Sequence, residues 1–207
     1  MDLSNPASAV VPTLDAAVLA VLTGTNRPLT GREVQRLCGH SQARVQDILN
    51  RMTNHGLLDA VEAGAARLYT LNREHVAADT AITLSDLRGR LFERIRSRIE
   101  QWPLPPVAAA VFGSAVRGDG GPDSDIDLLI VRPGDIDQDD PRWAVAVDDL
   151  SRSIGRWSGN HASVIQATPA QIAEMVERAE PIVAALQRDV VPLTETEVLT
   201  IPRKDRR

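Results

Sequence analysis

The 207-residue chain has one cysteine, Cys38, so no disulfide can form within it, and Cys38 falls at an apolar helix position where packing is its expected role. Phe, Trp and Tyr make up only 3% of the residues, which excludes an aromatic platform for stacking single-stranded nucleic acid. No apolar run approaches the ~18 residues needed to cross a bilayer, and Met1 to Pro12 lacks the basic start and apolar core of a secretion signal. A cytoplasmic protein with no membrane partner is expected. His40, His55, His75 and His161 are scattered without ligand spacing, so nothing points to zinc. Positive charge is not in excess either: 23 Lys and Arg against 28 Asp and Glu give −5, which argues against bulk nucleic-acid affinity and leaves a local patch open. What is present is 43% hydrophobic, enough for one or two small cores.

Two apolar runs, Val107 to Phe112 and Ile126 to Val131, read as buried strands with polar groups at their ends. Gly113-Ser114 follows the first, and Ser124-Asp125-Ile126-Asp127 opens the second, with ten residues between Ser114 and Asp125. Side chains alternate along a strand, so Asp125 and Asp127 point one way and Ile126 and Leu128 the other. At about 4 Å and an effective dielectric near 20, two such carboxylates repel by about 4 kcal/mol, which calls for protonation or a divalent cation. Mg²⁺ suits them, with Mn²⁺ as a substitute, because hard cations are commonly held by one or two carboxylates and substrate phosphates. Gly113 lets backbone approach a phosphate, the Ser114 hydroxyl can bond its oxygens, and Arg117 would add a bidentate donor. Gly118 to Asp123 is then a tight surface loop.

Gly113-Ser114, Arg117-Gly118 and Ser124-Asp125-Ile126-Asp127-Leu128-Leu129 resemble the signature of the polymerase-β-type nucleotidyltransferase superfamily, in its minimal prokaryotic branch. The resemblance covers about Val107 to Leu193. It implies that Asp125 and Asp127 are catalytic and bind Mg²⁺, that Gly113, Ser114, Arg117 and Ser124 bind a nucleoside triphosphate, and that NMP passes from the NTP, by analogy ATP, to a hydroxyl. The branch includes antitoxins that adenylylate a partner ribonuclease toxin, so a protein hydroxyl is an implied acceptor. A third carboxylate is expected from a later strand, best read as His161 to Ala167, and that stretch holds no Asp or Glu. Asp148 and Asp149 fall on a helix marked by Trp143, Val147, Leu150, Ile154 and Trp157, so neither inherits the role. Ser163, Gln166 or His161 could face the metal instead. Whether the chain is an enzyme stays open at this point. The alternative is a transcription regulator whose transferase-like domain senses nucleotide without chemistry.

Earlier in the chain, Leu14, Ala17, Val18, Val21 and Leu22 keep helical spacing, and Thr30-Gly31-Arg32-Glu33 is a capping box opening a helix that Gly39 stops. Ser41 caps a third helix with Val45, Ile48, Leu49 and Met52 inward, and two strands, Leu57 to Val61 and Arg67 to Leu71, flank a Glu62-Ala63-Gly64 turn. This order resembles a winged helix-turn-helix. Such a fold would present Gln42, Arg44 and Gln46 to the major groove of double-stranded DNA and Arg67 to phosphate. Winged domains also serve as protein-contact modules, and Asp47 sits on the reading helix.

Leu84, Leu87, Leu91, Ile95 and Ile99 stripe a helix over 77–101, which could pair two subunits in a homodimer or pack on its own domains. Trp102-Pro103-Leu104-Pro105-Pro106 breaks it. Thr168, with Gln171, starts a helix, Pro181 restarts one, and Val190 to Leu193 can add a short strand before a basic tail at 202–207. The expectation is an α+β chain with a winged helix-turn-helix at 1–76, a linking helix at 77–102 and a transferase domain with a mixed sheet and covering helices at 103–207.

Overall fold

The computed structural model describes residues 1–194, so the basic tail at 202–207 lies outside the described residues. The chain divides into two compact units at Arg88/Gly89. In the first, α1 (Thr13–Thr23), α2 (Gly31–Cys38), α3 (Gln42–Asn54) and α4 (Ala78–Ser85) accompany a three-stranded antiparallel sheet of β1 (Leu29–Thr30), β2 (Leu58–Ala63) and β3 (Ala66–Leu71), in the order β1-β3-β2. Val18, Leu22, Val34, Val45, Leu49 and Tyr69 lie in its core. The Thr30 hydroxyl accepts from the Glu33 amide while the Glu33 carboxylate accepts from the Thr30 amide, closing the capping box, and Gly39 ends α2 at φ 71°. Ser41 stands at the N-cap of α3 without a side-chain bond. The hairpin turns at Gly64-Ala65, not at 62–64, because Ala63 pairs with Ala66.

The stretch expected as one linking helix is two. Helix α4 ends with the Asp86 amide bonded to Ile82 and Thr83 carbonyls, and α5 (Leu87–Ile99) begins anew. Leu91, Ile95 and Ile99 of the expected stripe are buried in the second unit's own core, the self-packing use of that stripe.

In the second unit, β4 (Ala108–Phe112), α6 (Ser114–Arg117), β5 (Ile126–Val131), α7 (Pro141–Ser158), β6 (Ala162–Ala167), α8 (Pro169–Glu177), α9 (Pro181–Arg188) and β7 (Val190–Pro192) follow α5. The sheet is mixed, in the order β6-β5-β4-β7, with β5 and β6 parallel across the α7 connection and the other pairs antiparallel. One face packs Ile126, Leu128 and Ile130 with α5 residues and with Trp143 and Leu150 of α7. The other packs Leu129 and Val131 with Phe112, Ile172 of α8 and Leu186 of α9. Both faces being covered, β5 is apolar beyond Asp127, and that residue and Asp125, just before the strand, stand at its first end. Trp143, fully buried, meets Trp102 edge-on at 5.3 Å and donates its indole N–H to Gln166 Oε1 at 2.7 Å. No helix of the described residues is long and apolar enough to cross a membrane.

Candidate functional site

Strand β4 runs out into Gly113, which holds φ 75°, ψ −145°, a conformation open almost only to glycine. The turn feeds the short helix α6 and brings the bare Cα of Gly113 against β5. A Cβ built there would stand 2.7 Å from Asp127 Oδ2, so the carboxylate occupies the space that a side chain would fill. The same crowding links Ser114 to the returning loop, since a Cβ on Gly120 would lie 3.1 Å from Ser114 Oγ and 3.5 Å from Ser124 Cβ. Gly113, Ser114, Ser124 and Asp127 therefore converge at one end of the sheet.

Asp127 is half-buried among these groups. Burial first, and the charge of Asp125 second, push its pKa above the ordinary carboxylate value, with Arg117 opposing both. Asp125 is more open, and its Oδ1 lies 3.7 Å from His161 Nδ1. The parallel register sets Ser163 beside Asp127. Hence the strand that would carry a third carboxylate offers a histidine and a serine on the aspartates' side. Gln166, the third candidate there, points to the opposite face, where it holds Trp143. Among the described residues no group of three or more His, Cys, Asp or Glu side chains could hold a metal. Two carboxylates, one of them raised by burial and mutual repulsion, still fit a hard cation whose remaining ligands are phosphate oxygens and water.

Arg117 is drawn away from a simple phosphate role. Its Nε bonds Asp119 at 2.9 Å and its Nη1 bonds Asp189 at 3.0 Å, and Asp189 also accepts from Arg188 at 2.6 Å. Hydrogen bonds, chiefly from Arg188, hold the Asp189 carboxyl below its ordinary pKa. Asn160, which sequence reasoning missed, positions the loop: its buried amide donates to the Pro122 and Ser124 carbonyls at 3.1 and 3.0 Å. Its place directly after the Gly159 cap of α7 was the only available signal.

In the first unit, Gln42 and Arg44 are exposed in the first turn of α3. Gln46 is committed inward, donating to the Tyr69 hydroxyl at 2.7 Å and to Asn50 Oδ1 at 3.0 Å. Arg67 lies over the Tyr69 ring at 5.7 Å and within 3.5 Å of Glu62. Gln42, Gln46 and Arg67, but not Arg44, line one open cleft of about 550 Å³ with Arg32.

The sequence profile described as nucleotidyltransferase domain matches residues 92–197. No curated protein and no solved structure gives a match. The matched span takes in β4 to β7 together with Gly113, Ser114, Asp125, Asp127 and the groups that position them. On this match, which extends over half of its length, the chain belongs to the nucleotidyltransferase domain family.

Proposed function

We propose that the chain transfers NMP from an NTP, by analogy ATP, to a hydroxyl, with Asp125 and Asp127 holding Mg²⁺ (or Mn²⁺) and Gly113, Ser114 and Ser124 cradling the phosphates. The carrying observation is the convergence of the Gly113 turn with the Asp127 carboxylate, at a spacing only a glycine leaves open. The cation, when bound, offsets charge on the phosphate oxygens and on both carboxylates. The Ser114 hydroxyl and the backbone around Gly113 orient the triphosphate, so that the acceptor hydroxyl's oxygen bonds the α-phosphorus as the bond to pyrophosphate breaks and the hydroxyl proton passes to water. Arg117 joins the phosphates by exchanging one of its carboxylate partners for them. A hydroxyl on a partner protein, such as a toxin, is the acceptor in this reading, and the location is cytoplasmic.

The first unit, in the same proposal, is a winged helix-turn-helix that contacts double-stranded DNA. Its support is the order of three helices and a hairpin, with Gln42 and Arg44 exposed on α3. Arg44 is the side chain to test, because Gln46 and Arg67 have partners inside the unit.

The test is binding and turnover of α-labelled ATP by the full chain with and without Mg²⁺. Mg²⁺-dependent binding, lost in Asp125→Ala and Asp127→Ala, is expected, together with pyrophosphate release once an acceptor is supplied. Binding that ignores both substitutions would end the proposal.

A second reading is favoured by one observation, that β6 sets Ser163 rather than a carboxylate beside Asp127. In it the site senses nucleotide without transfer and the chain regulates transcription. It requires nucleotide-dependent binding to promoter DNA, weakened by Arg44→Ala, with no pyrophosphate released.

A further inference from the structure

Several arginines of α5 and α7 are neutralised by neighbouring acids, Arg142 by Asp140 at 2.8 Å among them. Arg96, Arg98 and Arg152 face carboxylates, in Glu93 at 3.5 Å, Asp149, and Asp148 at 3.2 Å. Arg94 and Arg156 have no carboxylate partner among the described residues, and these two line a single cleft of about 380 Å³ with Ser153 and Trp157. The Arg94 guanidinium lies over the Trp157 indole at 4.6 Å, so its flat face is held and its N–H edge is left to donate. Ser153 and Arg156 stand three apart on α7 and share a helix face.

We infer that this cleft binds a phosphate group. Two cations and a hydroxyl carried by two helices line it, which suits a tetrahedral oxyanion with several acceptors. A carboxylate has two coplanar oxygens and one charge, and a single guanidinium fork would satisfy it. Stacking of a base is disfavoured because Arg94 already covers the indole. Helices α5 and α7 pack on the Ile126, Leu128 and Ile130 face of the sheet, opposite to Asp127, so the cleft is separate from the site proposed for the triphosphate. The phosphate it takes is an anchor and not the transferred group. Free phosphate and a polynucleotide backbone present the same chemistry.

The full chain is titrated with inorganic phosphate, with a labelled single-stranded 12-nucleotide oligomer and with a 12-residue polyglutamate peptide. Each titration is repeated on the Arg94→Gln/Arg156→Gln double variant and on Arg152→Gln. Both substituted arginines are exposed on helices, and thermal melts verify that the fold is kept. Expected is saturable binding of a phosphate probe, weakened at least tenfold in the double variant and less than twofold in Arg152→Gln. An oligomer bound at least a hundredfold more tightly than inorganic phosphate, with a log–log salt slope flatter by about 0.7 in the double variant, identifies the backbone as the source. Lesser discrimination identifies free phosphate. The inference is overturned if neither phosphate probe saturates, if the double variant binds both unchanged, or if only polyglutamate depends on the two arginines.

Discussion

Replacing Gly113 by alanine probes the candidate site and the fold together. The φ of 75° with ψ −145° lies in a region that costs a residue with a Cβ about 1–3 kcal/mol. The new Cβ would also sit 2.7 Å from Asp127 Oδ2, closer than atoms pack, so the carboxylate must turn away and lose its seat. The backbone strain dominates, since turning the end of a flexible side chain adds little, and a loss of about 1–3 kcal/mol lowers Tm by about 4–12 °C for a unit of this size. If the proposed function holds, Mg²⁺-dependent nucleotide affinity should fall at least tenfold, because a displaced Asp127 could not share a cation with Asp125. Gly121→Ala is the control, since its φ is unstrained and nothing lies within 4 Å of the added carbon. It should change stability by no more than about 0.5 kcal/mol. Calorimetric melts and nucleotide titration read both effects, and a Gly113→Ala protein that melts within 2 °C of wild type with unchanged affinity would refute the reasoning.

Further expectations concern titratable groups. Asp127 binds its proton more tightly in the folded protein than in the unfolded chain, because of burial first and Asp125 second. Its contribution is therefore most favourable below the ordinary value of 3.8 and is lost as pH rises through the raised value. Asp127→Asn should then melt above wild type at pH 7 while losing Mg²⁺-dependent nucleotide binding, with the stability gain vanishing below pH ~4; a lower Tm at pH 7 would contradict this. Glu33 is brought down to about 2, chiefly by the Thr30 backbone amide and then by Arg27, so its contribution is present above 4.5 and lost as pH falls toward 2. The urea midpoint of wild type should exceed that of Glu33→Gln at pH 7 and the gap should narrow across that window, while Thr30→Ala costs about 1 kcal/mol. Burial pushes the Cys38 thiol up to about 11, so at pH 8 a disulfide reagent should label it about a hundredfold more slowly than a free thiol and rapidly in urea.

The site was legible where local chemistry and strand period agree. Ile126, Leu128 and Ile130 set one face of β5 by their apolarity, which fixes Asp125 and Asp127 on the other, and the Gly113-Ser114 turn follows from the end of an apolar run. The capping boxes at Thr30 and Thr168 were legible too, because each satisfies its own backbone within four residues. The helix break at Asp86 was not: Leu84, Leu87 and Leu91 keep a continuous helical stripe, with no glycine or proline at the break, and the stop is made by a local return of the Asp86 amide. The two-residue strand β1 is too short for any period to show. Partners distant in sequence were equally hidden, since nothing in the sequence matches Gln46 to Tyr69, or names Asp189 as the acid that pairs with Arg117.

Charge at the open end of the sheet decides how a nucleotide can bind there. A triphosphate placed beside Asp125 and Asp127 meets two carboxylates, and the nearby guanidinium of Arg117 is already matched by Asp119 and Asp189. Arg188 brings no surplus either, because it shares Asp189. His161, beside Asp125, is largely exposed, where water screens its interactions. On the proposed reading, then, the two arginines at this edge are matched by Asp119 and Asp189 and leave no surplus charge for a polyphosphate. If a nucleotide binds there as proposed, it must bring cations with it, and its affinity should be steep in Mg²⁺ and nearly absent in chelator, whether the nucleotide is turned over or only sensed.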